Sequence, residues 1–217
     1  MKDVSELKPN VIIGDHYEGH IRLSAWNRFQ SRQGSYGSKD SSETSNGLIK
    51  VFIDGQHVDY VKTTTQEQIN SINYLRDNAK KIQYEMLIAL FKELSEIRKI
   101  YEELVPEINT IADFENVLGL SIIHVLNSDK EGFSYIGYEL GCDWDDEHGM
   151  GVMMHKDRVV KIGQADTSFN YWIAYEDNGT AKEEQRKMKS LLTIRKIRKE
   201  NQGGNFGSFR FLLRQVC

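Results

Sequence analysis

Apolar residues return at Ile69, Ile72, Leu75, Ala79, Ile82, Met86, Leu90, Leu94, Ile97 and Tyr101, nine steps across 32 residues. The mean step, near 3.6, is the period of an α-helix that shows one face to a core. Thr65 stands where an N-cap belongs, and Gln68 three residues later closes a capping box. A single helix of this length is unusual, and Asp77-Asn78 predicts a break into two helices, the second ending before Pro106.

Elsewhere the apolar runs are short and rich in β-branched residues. Residues 11–13, 21–23 and 48–53 read as strands, and Asp54-Gly55 predicts a hairpin into 58–61 because a primed turn needs the positive φ that Gly supplies. Residues 31–46, SRQGSYGSKDSSETSN, have almost nothing to bury and predict a mobile loop between two strands. Further on, 111–117 is a short helix, and 121–126, 133–140, 150–154 and 158–162 form a four-strand meander with a turn at 127–132. Residues 169–175, FNYWIAY, are too aromatic to be exposed and predict another strand. A helix over 182–199 carries Met188, Leu191, Leu192, Ile194 and Ile197; after Gly203-Gly204, residues 206–216 add an edge strand or a docking apolar segment. The predicted fold is α+β, an antiparallel sheet of short strands packed against two long helices. Residues 1–180 make a single α+β domain, and 181–217 a basic C-terminal helix and tail.

Charge sharpens that division. The net charge of −4 hides ten Lys or Arg against three Glu from Ala181 onward, leaving 18 basic and 29 acidic side chains before it. A basic tail on an acidic body can signal nucleic acid, lie against its own acidic body, or be a solvated face. No aromatic residue interleaves the charges of 182–200, which argues against nucleic acid. At 217 residues the chain is long enough for a real core, and no stretch reaches the roughly 18 apolar residues of a membrane span. The start, MKDVSELKPN, lacks the apolar region of a secretory signal. With two cysteines, Cys142 and Cys217, the expected compartment is the reducing cytoplasm, away from membranes.

Candidate chemistry gathers at Cys142-Asp143-Trp144-Asp145-Asp146-Glu147-His148-Gly149. Cys142, Asp143, Asp145, Glu147, His148 and His155 include the ligand types zinc accepts, but the spacing matches no known metal pattern. As an extended run, 148–155 separates its two histidines by some 20 Å. Glu147 beside His148 is a possible carboxylate–imidazole pair for acid–base work, although acids in a turn commonly cap backbone N–H groups. Gly149 and Gly151 allow a bulge or close backbone approach. No nucleophile elbow or phosphate loop is present, and the pattern calls for no cofactor. As a binding surface the same acids attract a cationic partner, with Trp144 supplying contact area.

The string Cys142-Asp143-Trp144-Asp145-x-Glu147-His148-Gly149-x-Gly151-Val152, followed by His155-Lys156-Asp157-Arg158-Val159 and Gly163-x-Ala165-Asp166, resembles an uncharacterised bacterial domain family. The resemblance spans roughly residues 10–175 and stops short of the basic tail. Families of this kind are similar to the small immunity proteins encoded beside polymorphic toxins. What the resemblance implies is a non-catalytic intracellular protein that neutralises a toxin by occlusion, with no catalytic residues to carry over. The expected partner is then a protein, a cationic toxin domain, met by Trp144, Asp145, Asp146, Glu147 and His148. The competing expectation is a metal-dependent hydrolase using Glu147, His148 and His155.

Overall fold

A computed structural model describes residues 11–13, 16–32, 38–39, 44–58 and 61–201. It divides the chain into two compact units, Met1–Asn178 and Gly179–Cys217. The first begins with β1 (Val11–Ile13), β2 (His16–Gln30) and β3 (Thr44–Asp54), joined as antiparallel neighbours. A separate small ribbon follows, β4 (Gln56–Val58) with β5 (Val61–Thr63). The long helix α1 (Gln66–Tyr101) then leads through 3-10 turns at Glu102–Leu104 and Ile111–Asn116 into β6 (Leu118–Lys130). Strands β7 (Phe133–Cys142), β8 (Asp145–His155) and β9 (Arg158–Gly163) complete an antiparallel meander. The sheet runs β1-β2-β3-β6-β7-β8-β9, antiparallel throughout except where β3 lies parallel to β6.

The architecture is the expected α+β, and the helix starts as expected. Thr65 accepts from the Gln68 N–H while the Gln68 side chain accepts from Thr65 N–H, the two halves of a capping box. Asn78, at φ −120° and ψ 17°, leaves helical geometry and divides α1 into the two expected segments. Ile72, Leu75, Ile82, Met86, Leu90, Leu94 and Ile97 are buried in one core with Val51, Ile123, Val125, Tyr138, Leu140 and Val152 from the strands.

Several local expectations give way. Gly55 ends β3 without a hairpin into 58–61; β4 pairs with β5, and β3 is held by β2 and β6. The turn placed at 127–132 shrinks to Glu131 and Gly132, whose φ values of 52° and 79° suit a two-residue primed turn. Strand β3 takes the last three residues of the loop placed at 31–46, β2 ends just before it at Gln30, and most of the remainder lies outside the described residues. The aromatic run at 169–175 is no strand. Ala165–Phe169 is a 3-10 turn, and Tyr171–Asn178 is a helix, α2, with Asn170 Oδ1 accepting from Trp172 N–H in the manner of an N-cap. Ala174, Tyr171 and Ile173 pack with Leu126, Tyr135 and Met153, so aromatic content reported burial and not strand geometry. The expected edge strand at 206–216 and Cys217 lie outside the described residues.

The second unit contains α3 (Ala181–Asn201), with Lys187 paired to Glu183 and Glu184. Met188, Leu191, Leu192 and Ile194 are exposed along it.

Candidate functional site

The face of the sheet opposite α1 carries a short polar and aromatic row. Strand register sets Phe52, His124 and Gly137 side by side, with Ile122, Glu139 and Gly151 in the next row of the same face. His124 Nε2 lies 2.9 Å from Glu139 Oε2. The imidazole is flanked by Phe52 and Phe169, whose ring centroids are 5.6 and 5.2 Å away. Glu139 is only 6% exposed, so its carboxylate depends on the imidazole for compensation.

Phe169 reaches His124 because Ala165–Phe169 lies directly on the strands, and glycines make that possible. A Cβ on Gly137 would overlap the Ser168 carbonyl, and one on Gly151 the carbonyls of Gln164 and Ala165. Gly163 makes the same room for the Thr167 hydroxyl. Three adjacent strands thus present bare backbone to one turn. The expected close approach at Gly151 is this contact.

Beside the turn opens a cleft of about 570 Å³ lined by Glu139, Glu147, His148, Gln164, Asp166 and Phe169. Glu139 forms its buried part, while Glu147, His148 and Asp166 are exposed. Among the described residues, neither the Glu147 nor the Asp166 carboxylate makes a hydrogen bond or an ion pair. Carboxylates around a concave surface reinforce one another's field, so a cation entering the cleft is attracted from several sides.

The loop singled out in the sequence divides between this cleft and the interior. Trp144 and Asp145 are buried, which corrects their assignment to a partner-facing surface. The Trp144 ring belongs to the main core, although its Nε1–H has no partner among the described residues. Asp145 accepts from Tyr101 Oη at 2.7 Å and from the His148 backbone at 2.9 Å; His148 Nδ1 is 3.2 Å away. Burial works against its carboxylate, but these bonds outweigh it and hold its pKa below the ordinary aspartate value. Asp143 and Asp146 both pair with the buried Arg32 at the end of the β2 extension. Of the five predicted partner residues, Glu147 and His148 line the cleft, and Asp146 is exposed but tied to Arg32.

The hydrolase residues do not assemble. His155 is buried, its Nε2 lying 2.8 Å from the Lys130 carbonyl and 3.2 Å from that of Phe133. Among the described residues, no three His, Cys, Asp or Glu side chains converge closely enough to hold a metal ion. Burial pushes the Cys142 thiol up to about 12, leaving almost no thiolate at neutral pH. Among the described residues no helix is long and apolar enough to cross a membrane.

A family model for a domain of unknown function, DUF6985, matches residues 19–170. The chain belongs to the DUF6985 family. The matched segment of the DUF6985 domain runs from within β2 to the residue after the 3-10 turn, so it contains every residue of the cleft. It excludes α2 and α3. Neither a curated protein nor a solved structure matches the chain.

Sequence reasoning missed His124, Glu139 and Phe169 as neighbours. A signal was present in SIIHVL and YIGYELG, where one ionisable residue interrupts an otherwise apolar strand. Their convergence required the parallel β3–β6 register and the glycine-seated turn, neither of which is written in local pattern.

Proposed function

We propose that the DUF6985 domain of this chain is a non-catalytic binding module that receives a cationic surface of a protein partner in the cleft of Glu139, Glu147 and Asp166. The observation that carries this reading is a contrast among acids. Asp143, Asp145 and Asp146 are engaged inside the fold, whereas the Glu147 and Asp166 carboxylates flank a concave surface with no cation beside them among the described residues. Occlusion of a cationic toxin domain, the work of an immunity protein, is the partner class to which the family resemblance points.

The test uses a partner recovered from the native host, with rates measured by surface-immobilised binding. Neutralising Glu147→Gln with Asp166→Asn slows association about tenfold at low salt and changes dissociation less, because exposed charges act during encounter. Raising salt from about 0.05 to 0.5 M shortens the Debye length from roughly 14 to 4 Å and mimics the variant. Unchanged association in a folded variant removes the cleft from recognition. Metal analysis separates the hydrolase: the binding module holds below about a tenth of an equivalent of zinc after purification without chelator. Stoichiometric zinc that disappears on His148→Ala replaces the binding reading.

A further inference from the structure

We propose that β9 is a seam at which two copies of this chain pair, antiparallel about a two-fold axis, continuing one sheet into the other. Among the described residues no strand lies beyond β9, so its outer edge presents backbone groups without a ladder partner. The strand is not frayed. Val159 and Ile162 pack against the main core on one face, and Val160 packs with Leu126, Tyr135 and Met153 on the other. Both faces therefore hold packed apolar side chains, and the edge is open.

Alongside this edge runs a groove of about 620 Å³ between β9 and the C-terminal half of α1. Ile97 and Ile100 give it an apolar floor and wall, Ile100 being 73% exposed, and Leu104, 67% exposed, lies just beyond. Its charged lining is Lys92, Glu93, Glu96 and Lys161, two cations and two anions. That balance identifies the occupant. Residues 1–180 carry 29 acidic against 18 basic side chains, so two copies repel over most of their surfaces. The groove lining is charge-neutral, and in the proposed pairing each copy's lysines face the other's Glu93 and Glu96, the latter already held by Lys99 of its own copy. An isologous interface needs such a self-complementary patch. A strand paired antiparallel with its own copy satisfies the same symmetry, and the exposed Ile100 side chains gain cover beside it.

This inference is independent of the acidic cleft, which lies on the sheet face away from α1. The experiment is sedimentation velocity on the full chain from about 1 to 100 μM, with each variant's melting curve recorded to show that it folds. The wild type shows a concentration-dependent dimer. Lys161→Glu weakens it at least about tenfold, and so does Glu93→Lys with Glu96→Lys, because like charges then face each other. Combining all three substitutions restores the dimer. A monomer at every concentration overturns the proposal, as does a dimer indifferent to both reversals. Failure of the combined variant to recover overturns the two-fold charge pairing on which it rests.

Discussion

Removing Arg32 and removing the carboxylates it holds are not equivalent perturbations. The Arg32 side chain has 0% exposure, while those of Asp143 and Asp146 are 35% and 73% exposed. Its Nε–H donates to Gln30 Oε1 at 2.8 Å, one terminal nitrogen to Asp146 Oδ1 at 2.9 Å, and the other to Asp143. Arg32→Met deletes the buried charge and leaves two carboxylates at the surface, where water replaces the lost donors. The Asp146 bond counts for little at that exposure. The remaining charge-assisted bond and the stranded Gln30 acceptor set the cost at about 2 kcal/mol. Asp143→Asn with Asp146→Asn does the opposite, leaving a guanidinium without counter-ion in a fully buried position, at about 4 kcal/mol. Urea unfolding followed by tryptophan fluorescence measures both, with the slope of stability against urea checked for constancy. If Arg32→Met proves equal to or worse than the double aspartate variant, the guanidinium is not held by those carboxylates and the clamp is wrongly drawn.

Trp144→Ala lowers stability by about 3 kcal/mol in the same unfolding assay, since its ring is core; an unchanged midpoint contradicts that role. Gly137→Ala lifts the Ala165–Phe169 turn from the sheet, because the added methyl overlaps the Ser168 carbonyl; limited proteolysis should then cut near 164–169, and a wild-type cleavage pattern contradicts the platform. For Asp177, hydrogen bonding from Arg158, with Tyr135 and Lys130 adding to it, drives the carboxyl well below the ordinary aspartate range against the pull of burial. A depressed folded pKa means this stabilisation is complete above the unfolded value near 3.9 and is lost as pH falls below it, so Asp177→Asn flattens that acid limb; identical limbs in both proteins refute the linkage.

How far the sequence could be read depended on the range of the interactions involved. The α1 periodicity, the Thr65–Gln68 capping box and the break at Asn78 are local, and each was visible because its partners lie within four residues. The β7–β8 pairing was visible over a somewhat longer range, as two neighbouring apolar runs whose paired residues lie 3 to 18 positions apart. Asp145 looked like a surface acid because its neighbours are charged, yet Tyr101 lies 44 positions away and draws it inward. Arg32 sat in a Ser/Gly-rich run that has no local reason to be buried; its reason is a pair of aspartates more than 110 residues downstream. The grouping of His124, Glu139 and Phe169 was illegible in the same way, since they come from three separate elements.

The single parallel pairing in the sheet also has a kinetic meaning. Two antiparallel blocks, β1-β2-β3 and β6-β7-β8-β9, form from pairings between chain neighbours, but the ladder that joins them runs where Lys50–Ile53 lies beside Ile122–Val125. Closing the intervening stretch of roughly 70 residues costs about 4 kcal/mol of chain entropy, and nothing local offsets it in advance. Helix α1 lies within that stretch and packs against both blocks, so its docking draws the two edges together. The step that joins the halves is therefore the one expected to set the folding rate, with hairpins on either side waiting for a helix to bridge them.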